Sequence, residues 1–215
     1  MKNELFKRII SSLILIPLCL YIITNGLFLF NAFLIICFFI TAYEWSLMKK
    51  SFFYNVLGFL FLLFSFYTIY KIRNTLDGNY LYFLFITIIC ISTDIGGYLF
   101  GKLFKGPKIT SISPKKTYSG VFGAYFLSIT FTYFFLNNFY VNEIIRFTDI
   151  IFIFVIIIST VSQLGDILIS YFKRLSKIKD TGKIIPGHGG LLDRIDGMIF
   201  AFPFSYIIIL LNILK

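Results

Sequence analysis

Apolar residues in this chain fall into long, nearly unbroken blocks. They do not show the two-residue alternation of a half-buried strand or the narrow stripe of a soluble amphipathic helix. Seven blocks stand out, at about 9–25, 27–44, 52–70, 80–100, 120–140, 149–172 and 191–214. A hydrocarbon layer roughly 30 Å thick is crossed by about 20 helical residues rising 1.5 Å each, so runs of this length predict membrane-spanning helices. The pattern predicts an all-α integral membrane protein, a polytopic bundle of about seven transmembrane helices, with residues 1–215 as a single membrane domain. No internal repeat and no Pro- or Ser-rich linker divides it.

Composition agrees. The chain is 58% hydrophobic with a mean hydropathy of +0.87, outside the range of an ordinary soluble domain. The opening "MKNELFKR" and the apolar stretch behind it resemble a signal peptide. The stretch is long, however, and lacks a small-x-small cleavage site before Asn25 and Gly26, which predicts a retained anchor. Cys19, Cys37 and Cys90 lie inside apolar segments without Cys-x-x-Cys spacing and are expected to be inert packing residues. Trp45 and several tyrosines near segment ends suit an interfacial belt.

The net charge of +10 raises nucleic acid as a partner, but its distribution argues against one. With the N-terminus in the cytoplasm, the N-terminal tail and the loops after the second, fourth and sixth segments hold 3, 2, 5 and 5 basic residues, 15 of the chain's 20. That bias predicts an N-in, C-out topology with both large basic loops cytoplasmic. Much of the positive charge is therefore topological, and no nucleic-acid partner is expected.

Polar groups inside the blocks are few and placed late. Asp94 sits near the end of the fourth, in "CISTDIGGYLFGK". Asp166 sits near the end of the sixth, where Ser159, Ser162, Gln163, Asp166, Ser170 and Lys173 recur at three- and four-residue steps and form one polar stripe. Asp193 and Asp196, in "DRID", share a helix face. Ionised carboxylates in a membrane segment normally face a protein interior or a water-filled cavity. Four of them toward the cytoplasmic ends suit Mg²⁺, which takes a few carboxylates and completes its shell with water and phosphate. Helix-bundle pairing with nearby Lys or Arg is the alternative. Glu44 is the one other acidic residue within the first 70 that could lie in the membrane. Gly97 and Gly101 form a Gly-x-x-x-Gly that predicts close helix packing, with close approach of a ligand as the second reading.

Two loops gather the rest of the chemistry. In "GKLFKGPKITSISPKKTYSG", Ser113, Lys115, Lys116 and Thr117 combine ammonium groups and hydroxyls at a turn, a set that binds phosphate oxygens. Attraction to anionic lipid is the plainer use of the same lysines. The loop 173–196 carries Lys173, Arg174, Lys179 and Asp180, then Pro186-Gly187-His188-Gly189-Gly190 directly before the "DRID" helix start. Backbone amides at such a turn can bind anions. His188 has no partner histidine for a zinc site, no Gly-x-Ser-x-Gly accompanies it, and "TGKII" is not a Walker A loop.

The ordered set Ser170-x₂-Lys173-Arg174-x₄-Lys179-Asp180-x-Gly182-x₃-Pro186-Gly-His-Gly-Gly190-x₂-Asp193-Arg194-x-Asp196 resembles the signature of phosphatidate cytidylyltransferases, also called CDP-diacylglycerol synthases. "SPKKT", "QLGD" at 163–166 and the Asp94 segment are similar to earlier blocks of that family, so the likeness covers about 92–200. It departs at Ser119, where the family usually has an acidic or amide residue, at Gly197, often Ser there, and in a shorter N-terminal side. The resemblance implies transfer of CMP from CTP to phosphatidate with Mg²⁺, giving CDP-diacylglycerol and pyrophosphate in phospholipid biosynthesis. It implies an integral protein of a bacterial inner membrane with its site facing the cytoplasm, in contact with CTP, phosphatidate and membrane lipid, and it is compatible with a homodimer. It assigns catalytic roles to Lys173, Arg174, Lys179, Asp180, His188 and Arg194. Substrate binding falls to Ser113, Lys115, Lys116, Thr117, Gly189 and Gly190, and metal binding to Asp94, Asp166, Asp193 and Asp196. A CDP-alcohol phosphotransferase would need an Asp-Gly-x₂-Ala-Arg opening that is absent. A cation or proton transporter would need charge in the outer halves of the segments, which are almost bare.

Overall fold

The computed structural model describes residues 2–48, 51–74, 80–110, 113, 116–139, 149–185 and 189–211, with side chains from Leu13 onward except at 27 and 139. Eight helices occur among them: α1 (Lys2–Asn25), α2 (Leu27–Leu47), α3 (Phe52–Asn74), α4 (Leu81–Phe104), α5 (Tyr118–Phe139), α6 (Asp149–Leu175), α7 (Leu192–Ile195) and α8 (Met198–Leu210). The only extended pairings among the described residues are two isolated bridges, Lys108 with Thr117 and Ile185 with Gly189. Five stretches are long and apolar enough to cross a membrane: Phe28–Leu47, Phe52–Asn74, Leu81–Phe104, Tyr118–Asn138 and Asp149–Leu175. Two shorter apolar helices, Leu13–Asn25 and Met198–Leu210, complete the set. Large apolar side chains point outward along these helices, Phe28 and Phe52 each more than 80% exposed. Such faces are stable against lipid and unstable against water. The chain is an all-helical integral membrane protein.

The seventh block is not one continuous helix. Its DRID residues form the single turn α7, and α8 begins only at Met198. Asp196 and Gly197 keep right-handed helical angles between them, so the interruption is a hitch in the hydrogen-bond ladder and not a reversal.

The chain divides into two compact units. One comprises residues 1–80 and 172–196, with α1, α2, α3, the last turn of α6, and α7. Here Trp45 is buried, packs edge-on against Phe172 at 5.2 Å and donates Nε1–H to the Asn55 carbonyl at 3.3 Å. It therefore locks α2 into this unit instead of serving the interfacial belt expected of it. Arg73 is also buried, donating from Nε to the Ile23 carbonyl at 2.9 Å near the end of α1.

The other unit comprises residues 81–171 and 197–215. Its most extensive helix contact is α4 on α5. A Cβ at Gly96 would collide with the Gly123 carbonyl, and one at Gly120 would meet the Gly97 carbonyl at 2.8 Å. The glycines therefore serve helix packing, as the Gly-x-x-x-Gly predicts, though the tightest approach is at Gly96, beside the motif. The polar stripe of α6 turns inward: Ser159 and Ser162 are fully buried, and Thr93 donates to Ser159 at 2.8 Å.

Candidate functional site

In the first unit, chemistry collects where α6 ends and α7 begins. Three backbone bonds close α6: Ser176 N–H to the Phe172 carbonyl, Lys177 N–H to Arg174 and Ile178 N–H to Lys173. The last two, with Lys177 at a positive φ of 54°, make a Schellman-type cap. Further on, Ile185 and Gly189 exchange both backbone hydrogen bonds around residues 186–188. Gly189 sits at φ 92°, a conformation that suits glycine.

Asp193 is the hub of this loop. Its Oδ1 accepts from Lys173 Nζ at 2.8 Å, and both side chains are almost wholly buried. Its Oδ2 accepts the amides of Thr181 at 2.8 Å and Gly190 at 3.1 Å. Burial pushes the Asp193 carboxyl up. The Lys173 hydrogen bond, the Thr181 amide, the Lys173 charge and the Gly190 amide together outweigh that and hold it below the ordinary carboxylate value. Asp196, three residues on, is buried. Arg174, Lys179, Asp180 and Arg194 are exposed, with Arg174 donating to the Ile178 carbonyl at 3.2 Å.

One member of this cluster comes from far away in sequence. Glu44, on α2, is completely buried. It accepts the Leu191 amide at 2.9 Å, the Leu192 amide at 2.8 Å and the Thr181 hydroxyl at 2.9 Å. The amides from Gly189 to Leu192 are thus all committed inside the protein. Gly189 donates to the Ile185 carbonyl, Gly190 to Asp193, and Leu191 and Leu192 to Glu44. Three of these four amides meet the chain's own carboxylates.

In the second unit, Lys116 reaches from the α4–α5 loop to α6. Its Nζ lies 2.7 Å from Asp166 Oδ2 and 2.9 Å from the Gln163 carbonyl. Ser170 donates to Asp166 Oδ1 at 3.3 Å. Thr117 caps α5: its hydroxyl accepts the Gly120 amide at 3.1 Å and shares a hydrogen bond with Ser119. Ser113 takes part in the turn through its backbone, donating N–H to the Thr110 hydroxyl and accepting from Lys116 N–H. Asp94 lies exposed on α4.

A sequence model described as the Cytidylyltransferase family matches residues 49–212. The chain belongs to the cytidylyltransferase family. Among its relatives, a phosphatidate cytidylyltransferase of Rickettsia typhi is 34% identical over 207 residues, 94% of this chain and 90% of the relative. One of Rickettsia bellii is 34% identical over 96% of this chain and 91% of its own length. One of Bacillus subtilis is 32% identical over 77% of this chain and 62% of its own.

The family match takes in every catalytic, substrate-binding and metal candidate read from the signature and leaves Glu44 just outside it. Lys173, Asp193 and Gly190 come into direct or shared contact, as do Lys116 and Asp166. Lys115 and His188 lie outside the described residues. Glu44 was visible in the sequence only as a lone charge in a greasy block; nothing local ties it to a loop more than 130 residues away.

A magnesium ion asks for hard oxygen donors in near-octahedral order. Among the described residues no three His, Cys, Asp or Glu side chains gather to hold a metal. Asp166 and Asp193 each carry a lysine ammonium instead, so both are places that favour positive charge. The donor chemistry fits an ion held by one or two carboxylates together with substrate phosphates and water. It does not fit a cage built of protein alone.

Proposed function

We propose that this protein transfers CMP from CTP to phosphatidate, releasing pyrophosphate and forming CDP-diacylglycerol. The observation that carries the reading is its family membership, with near-full-length similarity to phosphatidate cytidylyltransferases, 34% identical over 94% of the chain. A phosphate oxygen of phosphatidate forms the new bond to the α-phosphorus of CTP, and the bond to the β-phosphate breaks. The nucleophile is already anionic near neutral pH, so no strong general base is required. The barrier lies in bringing anionic phosphates together and in stabilising the departing pyrophosphate, which calls for fixed positive charge.

Lys116 in the second unit, and Lys173, Arg174, Lys179 and Arg194 in the first, are the groups suited to phosphate oxygens by charge-assisted hydrogen bonds. Lys115 and His188 join them on the strength of the signature. Magnesium, held through Asp94, Asp166, Asp193 or Asp196 and substrate phosphates, would neutralise charge on the phosphoryl oxygens and on the leaving group. Asp180 keeps the catalytic role that the signature implies, and Ser113, Thr117, Gly189 and Gly190 the substrate-binding role.

The same reading sets the topology. The chain crosses a bacterial inner membrane seven times, α1 and α8 included, with the basic loops 102–118 and 173–190 in the cytoplasm, where CTP is available. The charge bias of the loops supports it. Purified protein in lipid nanodiscs tests the reaction. Pyrophosphate release from CTP should require phosphatidate and be matched by CDP-diacylglycerol. Release that ignores phosphatidate, or none in its presence, overturns the reading.

A further inference from the structure

Glu44 is a carboxylate with no exposed surface, and it is the one charged residue on a helix that is mostly Phe, Ile and Leu. A buried carboxylate is costly unless donors satisfy it. It accepts from a hydroxyl and two amides, and all three belong to the segment 181–192. Oε1 accepts one donor and Oε2 accepts two, so both oxygens are in use. Two oxygens that only accept meet this demand, whereas an amide side chain offers one oxygen and turns two N–H donors toward the others.

The loop is shaped around this group. A Cβ at Gly182 would come 2.6 Å from Glu44 Oε1, and one at Gly190 would come 2.6 Å from Oε2. Gly182 and Gly190, two of the signature's four glycines, are thus the size that Glu44 and the Thr181 hydroxyl leave room for. Thr181 links the two carboxylates: its hydroxyl donates to Glu44 and its amide to Asp193. Asp193 in turn holds Lys173. Displacing Glu44 releases the start of α7 and one of the three donors that orient Asp193.

We infer that Glu44 is a positioning residue for cytidylyl transfer: it straps residues 181–192 to α2 and so holds the Asp193–Lys173 pair in its working place. The inference rests on the proposed reaction. Glu44 acts through the loop and needs no contact with CTP or phosphatidate.

The test uses full-length protein in nanodiscs, with Glu44→Gln, Glu44→Ala and Thr181→Val. Glu44→Gln keeps the size of the side chain, so it should remain monodisperse. Hydrogen exchange in peptides spanning 180–196 should rise about tenfold or more with the other helices unchanged, since at least one of the three hydrogen bonds is lost and an amide N–H is turned on a donor in its place. The KM for CTP should rise and kcat/KM should fall about tenfold to a hundredfold. A mere loss of folded fraction would lower kcat and leave KM where it was. Thr181→Val removes one hydrogen bond and leaves Glu44 its two amides. It should show the same trend at about twofold to tenfold, and it decides the matter if Glu44→Gln does not fold. Wild-type KM and kcat/KM in a folded Glu44→Gln protein, or in Thr181→Val where that variant must decide, would overturn the inference. So would faster loop exchange with unchanged kinetics. If the wild type itself makes no CDP-diacylglycerol, the reaction fails as a reading, while the exchange data still report whether Glu44 holds the loop.

Discussion

Lys173 and Asp193 meet at 2.8 Å, one at the end of α6 and the other in the single turn of α7, with 19 residues between them in the chain. Both side chains are almost wholly buried, so each is the condition for the other's charge. Asp193→Asn should leave Lys173 with a weakened partner. The expected cost is about 3 kcal/mol or more in local stability, the range for breaking a buried pair. Activity should fall at least tenfold, with membrane insertion intact. Asp196→Asn should also lose most activity. Turnover assays with detergent-extracted yield as the folding control check both, and wild-type turnover in both variants would remove these carboxylates from the site.

Acid should loosen this loop at a particular place. The folded Asp193 carboxyl titrates below its ordinary value, so between the two values the unfolded chain binds the proton that the folded one refuses. The stability it contributes is complete above the unfolded pKa, about 3.9, and is lost as pH falls through the folded value. Exchange protection of the 180–193 peptides should therefore drop below about pH 4 in the wild type. It should be flatter with pH in Asp193→Asn. Equal acid sensitivity in the two proteins would show that another group governs the loop.

Lys116 separates phosphate binding from charge bias. It is held by Asp166 and the Gln163 carbonyl, whereas Lys105 is exposed on the same loop. If both only set orientation, Lys116→Gln and Lys105→Gln should behave alike. Loss of a phosphate contact should instead lower kcat/KM about tenfold to a hundredfold for Lys116→Gln alone. The same comparison, with Lys179→Gln as a third variant, covers the exposed lysine inside the signature. Unchanged kinetics in all three would return these lysines to a topological role.

Lys108 and Lys183 are exposed, one in each basic loop, and suit labelling from either side of the membrane. The native thiols give little background, since Cys90 is buried and Cys19 and Cys37 are only part-exposed in apolar helices. Lys108→Cys and Lys183→Cys should resist an impermeant maleimide on intact cells and react once the cells are opened. Labelling of intact cells at either position contradicts cytoplasmic loops.

The order of residues was enough to reveal the helical membrane class, the blocks that became α1 to α6, and the signature loop. These are local or compositional properties: lipid forces runs of apolar residues into helices, and the loop's chemistry is written consecutively from Lys173 to Asp196. The break between α7 and α8 was less visible, because Asp196 and Gly197 keep helical angles and only the hydrogen-bond ladder shows the interruption.

Partners were a different matter. Periodicity placed Asp166 on a polar stripe but could not say that Lys116 would hold it, since a 50-residue separation carries no spacing rule. Trp45 looked interfacial from its place near a segment end, yet packing on Phe172 buried it. Glu44 shows the limit most plainly. In sequence it is a lone acid in an apolar block, and whether such a charge is tolerable depends on which donors the fold brings to it. Those donors are the amides of Leu191 and Leu192 and the hydroxyl of Thr181, and only the tertiary structure could supply them, because desolvation must be repaid by groups that are close in space and not in sequence.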